Sequence, residues 1–477
     1  MEGPTSSSSD SKLSEKEQKK RELLVFEDSE HSNNNKKSKV DDIALEGKFQ
    51  VNEYKGWVVP ENNFKIPAIS IEDLTPEKFY SDYVSRRKPV VLRGELEDLS
   101  GLKKWKVNND HLRNLAGEEK VMVEVRSNEK ESFGRGNETP MTFNAFLDSI
   151  EKGDSMHYLT TQDVEANEDG QPDLMAPFMK RMKGDFPLRP KIMGNLIPQN
   201  INMWFGNSKD GASSGLHHDY HDNLYILLRG TKRFRLYSPK DTENLYSKGK
   251  LLKVHHNGRI NYEGEETTPY GADLKADAAA KASRAKEEAE HMLIEAEKKV
   301  QNGIQGAQEE LEQAEEMLEM AMDALIDAEM DDDDDDDDDE INEEDDGNDE
   351  AVYFSDDSKS SGTELSPKRV RYLVDKTIKD PNNFSNIAPV TLSEEAKIHD
   401  EFPLIERTKA AFCDITAGEL LYLPASWWHE VTSIGDGPQG HLAINYWFHP
   451  PDVNDNYMKP YSTEFWPEDY KLRLEKS

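Results

Sequence analysis

Cysteine, positive charge and long apolar runs are all scarce in this chain. One cysteine, Cys413, stands in 477 residues. That excludes an intramolecular disulfide framework and a thiolate-rich zinc module, and it suits a reducing compartment. Cys413 itself reads as a small core residue. Lysine and arginine number 59 against 96 aspartates and glutamates, a formal net charge of -37. Phosphate contacts need basic patches, so this balance argues against nucleic acid and favours basic partners. No apolar run approaches the roughly 18–20 residues of a membrane span. The Ser- and charge-rich beginning lacks the apolar core of a secretory signal. Together these absences predict a soluble intracellular protein. A hydrophobic fraction of 35% further implies that sizeable parts of the chain are solvated.

What is present divides the chain into four parts. Residues 1–60 read as a disordered tail, with order expected from about Lys65. In the tail Lys36, Lys37 and Lys39 form a solvated basic cluster, and a weak hint of nuclear import. Residues 61–262 alternate short strand patterns with a few helices. Thr75 and Pro76 are a start signal, Thr142 a cap ahead of the stripe Phe143, Phe146, Leu147 and Ile150. Strand character appears at 88–94, 121–126, 157–162 and 201–206. Many short strands with flanking helices predict a mainly β domain, a barrel or double-sheet jelly roll.

Residues 263–379 are an insertion. Between 273 and 330 the sequence is helical, without proline, and carries a heptad seam through Ala289, Leu293, Ala296, Val300, Ile304, Ala307, Leu311, Ala314, Leu318, Ala321, Leu325 and Ala328. The register slips near Gly303 and Gly306, which allows one long helix or a hairpin bent there. Asp331–Asp339 are nine consecutive aspartates, and residues 327–350 hold 18 Asp or Glu with no Lys or Arg. Like charge at that density cannot pack, so 331–365 is expected to be disordered. Residues 380–477 return to strands and add a C-terminal extension from Pro450.

The chemistry lies on both sides of the insertion. In the stretch from Ser214 to Pro239, which turns at Arg229-Gly-Thr231, His217 and Asp219 stand two apart and share one face if the segment is a strand. An imidazole and a carboxylate side by side are two of three ligands of a facial triad, which leaves open positions on Fe(II). A third candidate is His429, at the end of Leu423-Pro-Ala-Ser-Trp-Trp-His429. Asn445, polar amid apolar neighbours, needs partners if buried.

The set His217-x-Asp219, Asn223, Lys232 and Leu423-Pro-Ala-Ser-Trp-Trp-His429 resembles the JmjC-domain Fe(II)- and 2-oxoglutarate-dependent oxygenases. Among them it is similar to the small JmjC-only hydroxylases and demethylases, because no PHD, Tudor, zinc-finger or DNA-binding signature accompanies it. The resemblance covers roughly residues 66–262 and 380–452. It implies a double-stranded β-helix, the cupin-like jelly roll, with His217, Asp219 and His429 holding Fe(II). It also implies that 2-oxoglutarate chelates the metal while dioxygen takes the last position, and that decarboxylation to succinate drives oxidation of a substrate C–H bond. Lys232 stands where the family seats the distal carboxylate, in a charge-assisted hydrogen bond. Tyr158 and Ser214 match hydroxyl positions on the same carboxylate, although family members often have threonine in place of Ser214. Asn223 and Asn445 match polar residues that orient ligands or cosubstrate. His218 and His221 are expected to face away from the metal or line its rim, and Trp427 and Trp428 to pack the barrel.

The expected activity is hydroxylation of a protein side chain, or N-methyl hydroxylation of histone lysine that ends in demethylation. The acidic insertion suits a basic protein substrate such as a histone tail. A catalytically idle cupin-like shell that binds basic proteins is the alternative. An RNA-modification hydroxylase is disfavoured by charge. Localisation is expected to be nuclear or cytoplasmic, with the nucleus favoured by the resemblance and the basic cluster.

Overall fold

The computed structural model describes residues 51–128, 133, 137–167, 170–329, 369–370, 381–387 and 401–476. Lys36, Lys37 and Lys39 and the aspartate run therefore lie outside the described residues. Along the chain the strands are β1 (Phe64–Lys65), β2 (Ala68–Ser70), β3 (Val90–Arg93), β4 (Lys120–Val125), β5 (Asn137–Thr142) and β6 (His157–Leu159). Next come β7 (Val164–Glu165), β8 (Pro198–Gly206), β9 (Ala212–Ser213), β10 (Asp222–Arg229), β11 (Thr231–Tyr237), β12 (Leu251–Val254) and β13 (Ile260–Tyr262). After the insertion follow β14 (Arg369–Val370), β15 (Ala411–Thr416), β16 (Leu420–Leu423), β17 (Trp428–Ile434) and β18 (His441–Phe448).

Two mixed sheets form the body. One runs β2-β3-β16-β10-β18-β8-β6-β4-β5 and the other β1-β15-β11-β17-β9. They share an apolar interior in which Tyr225, Leu227, Leu421 and Ala443 of the first meet Phe234, Leu236, Cys413 and Ile415 of the second. This is the expected mainly β, double-stranded β-helix with flanking helices. All eight residues of β10 are buried, as expected of a central strand covered on both faces. The outer face of this sheet is sealed by helices. Thr142 caps the one at Phe143–Glu151 by accepting from Ala145 N–H, and Phe143, Phe146, Leu147 and Ile150 are buried. Gly230, at φ +78°, makes the tight turn from β10 to β11.

A buried ion pair ties the sheet corners that carry the site. The Arg87 guanidinium meets both carboxylate oxygens of Asp222, at the start of β10. Asp222 also accepts from Tyr422 O–H at 2.7 Å and from Ala425 N–H at 2.9 Å, just before β17. Each acceptor site of the carboxylate is thus used, the condition under which a buried charge is tolerated.

Two boundaries differ from expectation. Packing starts before residue 61: Tyr54 and Val59 are buried and Trp57 stacks on Trp427, centroids 5.6 Å apart. The insertion leaves the body at Asp273 rather than 263, because Tyr270 and Ala272 belong to the main core. Of the two helical alternatives the hairpin forms, with Leu274–Gln301 outgoing and Ala307–Glu329 returning. Gly303 and Gly306, at φ +67° and +85°, supply the left-handed backbone of the turn. Its seam is alanine at every seventh position, Ala282, Ala289 and Ala296 against Ala307, Ala314 and Ala321, all buried. The C-terminal extension ends in the helix Phe465–Lys476. Tyr461, ahead of that helix, accepts from Ile197 N–H and donates to the His449 carbonyl, both at 2.9 Å.

Candidate functional site

The early and late motifs meet through main chain. His217 N–H donates to the His429 carbonyl at 3.0 Å, and His429 N–H returns the bond at 2.7 Å. Ser426 N–H donates to the Asp219 carbonyl at 2.7 Å. Ser426 sits at φ +59°, a left-handed conformation unusual for a side-chain-bearing residue, in the Pro-Ala-Ser corner. His217 and Asp219 do not lie on a strand, as expected from alternation; they form the extended approach to β10, with His217 bridged to His429 and to Phe384. The two-residue spacing still puts both side chains on one side.

The ligand atoms of His217, Asp219 and His429 all lie within 4.8 Å of one another. His429 Nε2 is 3.7 Å from Asp219 Oδ2. The far ring nitrogens are committed: His217 Nδ1 is 3.0 Å from the Gly215 carbonyl and His429 Nδ1 is 2.8 Å from the Trp427 carbonyl. A carbonyl only accepts, so each Nδ1 holds a proton and each Nε2 is the nitrogen left to bind a metal. Burial, aided by His217, pulls His429 down to about 4, so its imidazole is neutral. Phe384, just after the insertion, stacks on His217 with centroids 5.0 Å apart. Two imidazoles that each direct Nε2 toward one carboxylate are a donor set that suits a divalent transition metal.

Deeper in the barrel lies Lys232. Its side chain is 1% exposed, and Nζ donates to Ser433 Oγ at 2.5 Å, the residue paired opposite it in the β11–β17 ladder. Burial, unopposed by any carboxylate, pulls its ammonium down to about 7. The Tyr158 ring stands beside it, 5.8 Å from Nζ, stacked on Phe133 at 4.1 Å. The register sets Asn202 opposite Asn445, and Asn445 opposite Tyr225, across β8, β18 and β10. Asn445 has the partners its burial requires: Trp204 Nε1 donates to its Oδ1 at 2.9 Å, and its Nδ2 donates to Asn223 Oδ1 at 3.1 Å. Tyr225 Oη, Asn202 Nδ2, Asn200 Oδ1 and Trp447 Nε1 are buried with no partner among the described residues. Buried polar atoms are normally paired, so this wall fits a polar guest.

Placement of the remaining residues is mixed. Ser214 does not turn its hydroxyl to Lys232: Oγ accepts from Val431 N–H at 3.1 Å and donates to the Gly215 carbonyl at 3.0 Å. It fixes the strand that carries His429. His218 points the other way, Nε2 2.8 Å from Tyr262 Oη, and His221 stacks on Trp447. Trp428 bonds Thr242 Oγ1 at 3.1 Å and Trp427 the Arg87 carbonyl at 3.2 Å, so both are packing. Ser433, Tyr225 and Asn202 escaped the sequence reading. Ser433 was accessible in principle, since it lies four residues after His429 on the same strand face; the other two required the register.

Comparison with known proteins fits this geometry. A profile described as "Cupin-like domain" matches residues 76–454. The chain is 31% identical over 442 residues to JmjC domain-containing protein 4 of Schizosaccharomyces pombe, which covers 86% of this chain and 90% of that protein. Lysine-specific demethylase 8 of Danio rerio is 28% identical over 43% of this chain and 48% of its own length. The human bifunctional peptidase and (3S)-lysyl hydroxylase JMJD7 is 26% identical over 35% of this chain and 52% of its own. Profile, relatives and the His-Asp-His cluster at the mouth of a double-stranded β-helix agree: the chain belongs to the cupin-like JmjC-domain family.

Proposed function

We propose that the protein is an Fe(II)- and 2-oxoglutarate-dependent oxygenase that hydroxylates a side chain, lysine by preference, of a basic protein. The observation that carries the reading is Lys232, a fully buried ammonium with no carboxylate partner among the described residues, paired opposite Ser433 four residues along β17 from the ligand His429. A lone buried cation is expensive unless a guest anion completes it. In this reading His217, Asp219 and His429 hold the metal through Nε2 and carboxylate oxygen. Lys232, with Ser433 beside it, seats the distal carboxylate of the cosubstrate, and Tyr158 closes the apolar wall around that pair. Asn223 and Asn445, held in line by Trp204, orient the polar side of the pocket. Bound together, metal, cosubstrate and dioxygen supply the oxidising equivalent that replaces a substrate C–H with C–OH. The chain's own work is to hold the His429 imidazole neutral, fix the tautomers of both ligand imidazoles and exclude water.

Lysine is favoured because two relatives carry it in their names, one as a hydroxylase and one as a demethylase, and because the net charge of -37 attracts basic proteins. Hydroxylation is preferred to demethylation because Trp427 and Trp428, which precede His429, are buried in packing and offer no cage for a methylated ammonium. The test is mass spectrometry of a lysine-rich peptide library incubated with protein, iron and 2-oxoglutarate. A gain of about 16 Da identifies hydroxylation and a loss of about 14 Da demethylation. Succinate formation that persists in His217→Ala overturns the ligand assignment, and none in the wild type with any peptide supports a non-catalytic shell.

A further inference from the structure

The helical hairpin is only partly explained by its own packing. The outgoing helix is anchored at its base, where Tyr270 Oη donates to Asp277 at 2.6 Å and Arg284 pairs with Glu468 at 2.6 Å. At about 1.5 Å per residue, its 28 residues reach about 42 Å, far past those anchors. Beyond them the two helices meet through alanine. Alanine covers little apolar surface, so the larger residues on the seam's shoulder stay wet. Leu311, Leu318 and Leu325 are half-buried, while Met322 and Ile326 are 46% and 45% exposed. Steps of seven, four and three place Leu311, Leu318, Met322 and Leu325 along one side of the returning helix, with Ile326 beside them. Glu315 and Glu319 continue the Met322–Ile326 line by one and two turns.

We propose that this shoulder is a docking groove for an amphipathic helix of a partner protein whose apolar face is bordered by lysine or arginine. Charge selects the occupant. The returning helix carries nine carboxylates and no basic residue, so the returning helix of a second copy would meet like charge, and nucleic acid is repelled. A basic helix gains on both counts: it covers the leucines and pairs with Glu315 and Glu319. Exposed methionine suits such a groove because its unbranched side chain adapts to varied partners. The inference does not rest on the oxygenase reading, since none of its residues belongs to the metal or cosubstrate site.

The experiment uses the full chain and a fluorescent peptide of about 18 residues, leucine on one helical face and lysine on the other, followed by anisotropy at about 0.15 M salt. A scrambled peptide of the same composition cannot form that face and should bind at least about tenfold more weakly. Met322→Ser with Ile326→Ser should weaken the amphipathic peptide by about tenfold or more, since both side chains are exposed and their removal leaves the fold intact. Met317→Ser with Met320→Ser, on the opposite shoulder, should change it less than twofold, and His217→Ala should bind as the wild type does. Equal affinity for the scrambled peptide, or indifference to Met322→Ser with Ile326→Ser, overturns the proposal. So does a concentration-dependent dimer in sedimentation that the same pair abolishes, because the groove then belongs to a second copy.

Discussion

Replacing Lys232 by methionine should make the free protein more stable while destroying its cosubstrate site. Burial lowers the ammonium from 10.5 to about 7, and each unit is worth about 1.4 kcal/mol. The unfolded chain therefore prefers the protonated lysine by about 4–5 kcal/mol at neutral pH. Lys232→Met removes that cost and keeps the side-chain length. It also strands the Ser433 hydroxyl, which costs about 1 kcal/mol. The net gain is about 3–4 kcal/mol, equivalent to a rise in Tm of about 6–12 °C at about 2–3 °C per kcal/mol. The sign with pH is fixed by the lowered basicity. Below about pH 7 the lysine is charged in both states and the penalty is whole. Between 7 and 10.5 the unfolded chain binds more protons, so wild-type stability rises with pH and the advantage of methionine shrinks by about 1.4 kcal/mol per unit. Thermal melts of both proteins at pH 7 and pH 9, with and without 2-oxoglutarate and a divalent metal, read all three quantities. A methionine variant that melts at or below the wild type at pH 7, or an advantage unchanged at pH 9, refutes the desolvation argument. Stabilisation of the variant by 2-oxoglutarate equal to that of the wild type refutes the cosubstrate assignment.

Two further substitutions test the frame. Arg87→Met leaves the Asp222 carboxylate buried without its cation and should cost about 3–5 kcal/mol in chemical denaturation; adding Asp222→Asn should recover a large part, and failure to do so would mean that shape rather than charge matters at this corner. Gly230→Ala puts a Cβ 2.5 Å from the Ile434 carbonyl and 2.8 Å from His441 Cβ at φ +78°. It should cost about 2–4 kcal/mol, and a Tm within a degree of wild type would show that the turn can move.

What could be read before the structure was local. The Thr142 cap, the Gly230 turn and the glycine break in the hairpin are each written within a few residues, because cap geometry and positive φ are properties of the residues themselves. The triad was legible through its motif, although alternation misplaced His217 and Asp219 on a strand; two residues of any extended backbone give the same facing. What depended on distant pairing was hidden. Trp57 stacking on Trp427 and the buried Asn52 carry the packed body back before residue 61, and nothing near Trp57 announces it. Ser214 matched a family position but sits where the Val431 backbone claims its hydroxyl. Tyr225 and Asn202 reach the pocket only through the register of three strands.

The return of the insertion is the least legible part and has the most direct bearing on the site. After an acidic excursion that begins at Asp273, residues 381–387 come back against the ligand segment itself. His218 N–H donates to the Asn383 carbonyl at 3.0 Å and Ser385 N–H to the Leu216 carbonyl at 2.9 Å, bracketing His217. Asn383 Nδ2 donates to the His218 carbonyl at 2.6 Å, and Phe384 covers the His217 ring. His217 is thus held between β17 on one side and residues 381–387 on the other. The excursion can vary in length without moving the metal ligands, because loop closure costs little more as a loop grows, provided that residues 381–387 still dock. By the same geometry, residues 381–387, where the chain rejoins the domain, count as part of the site wall.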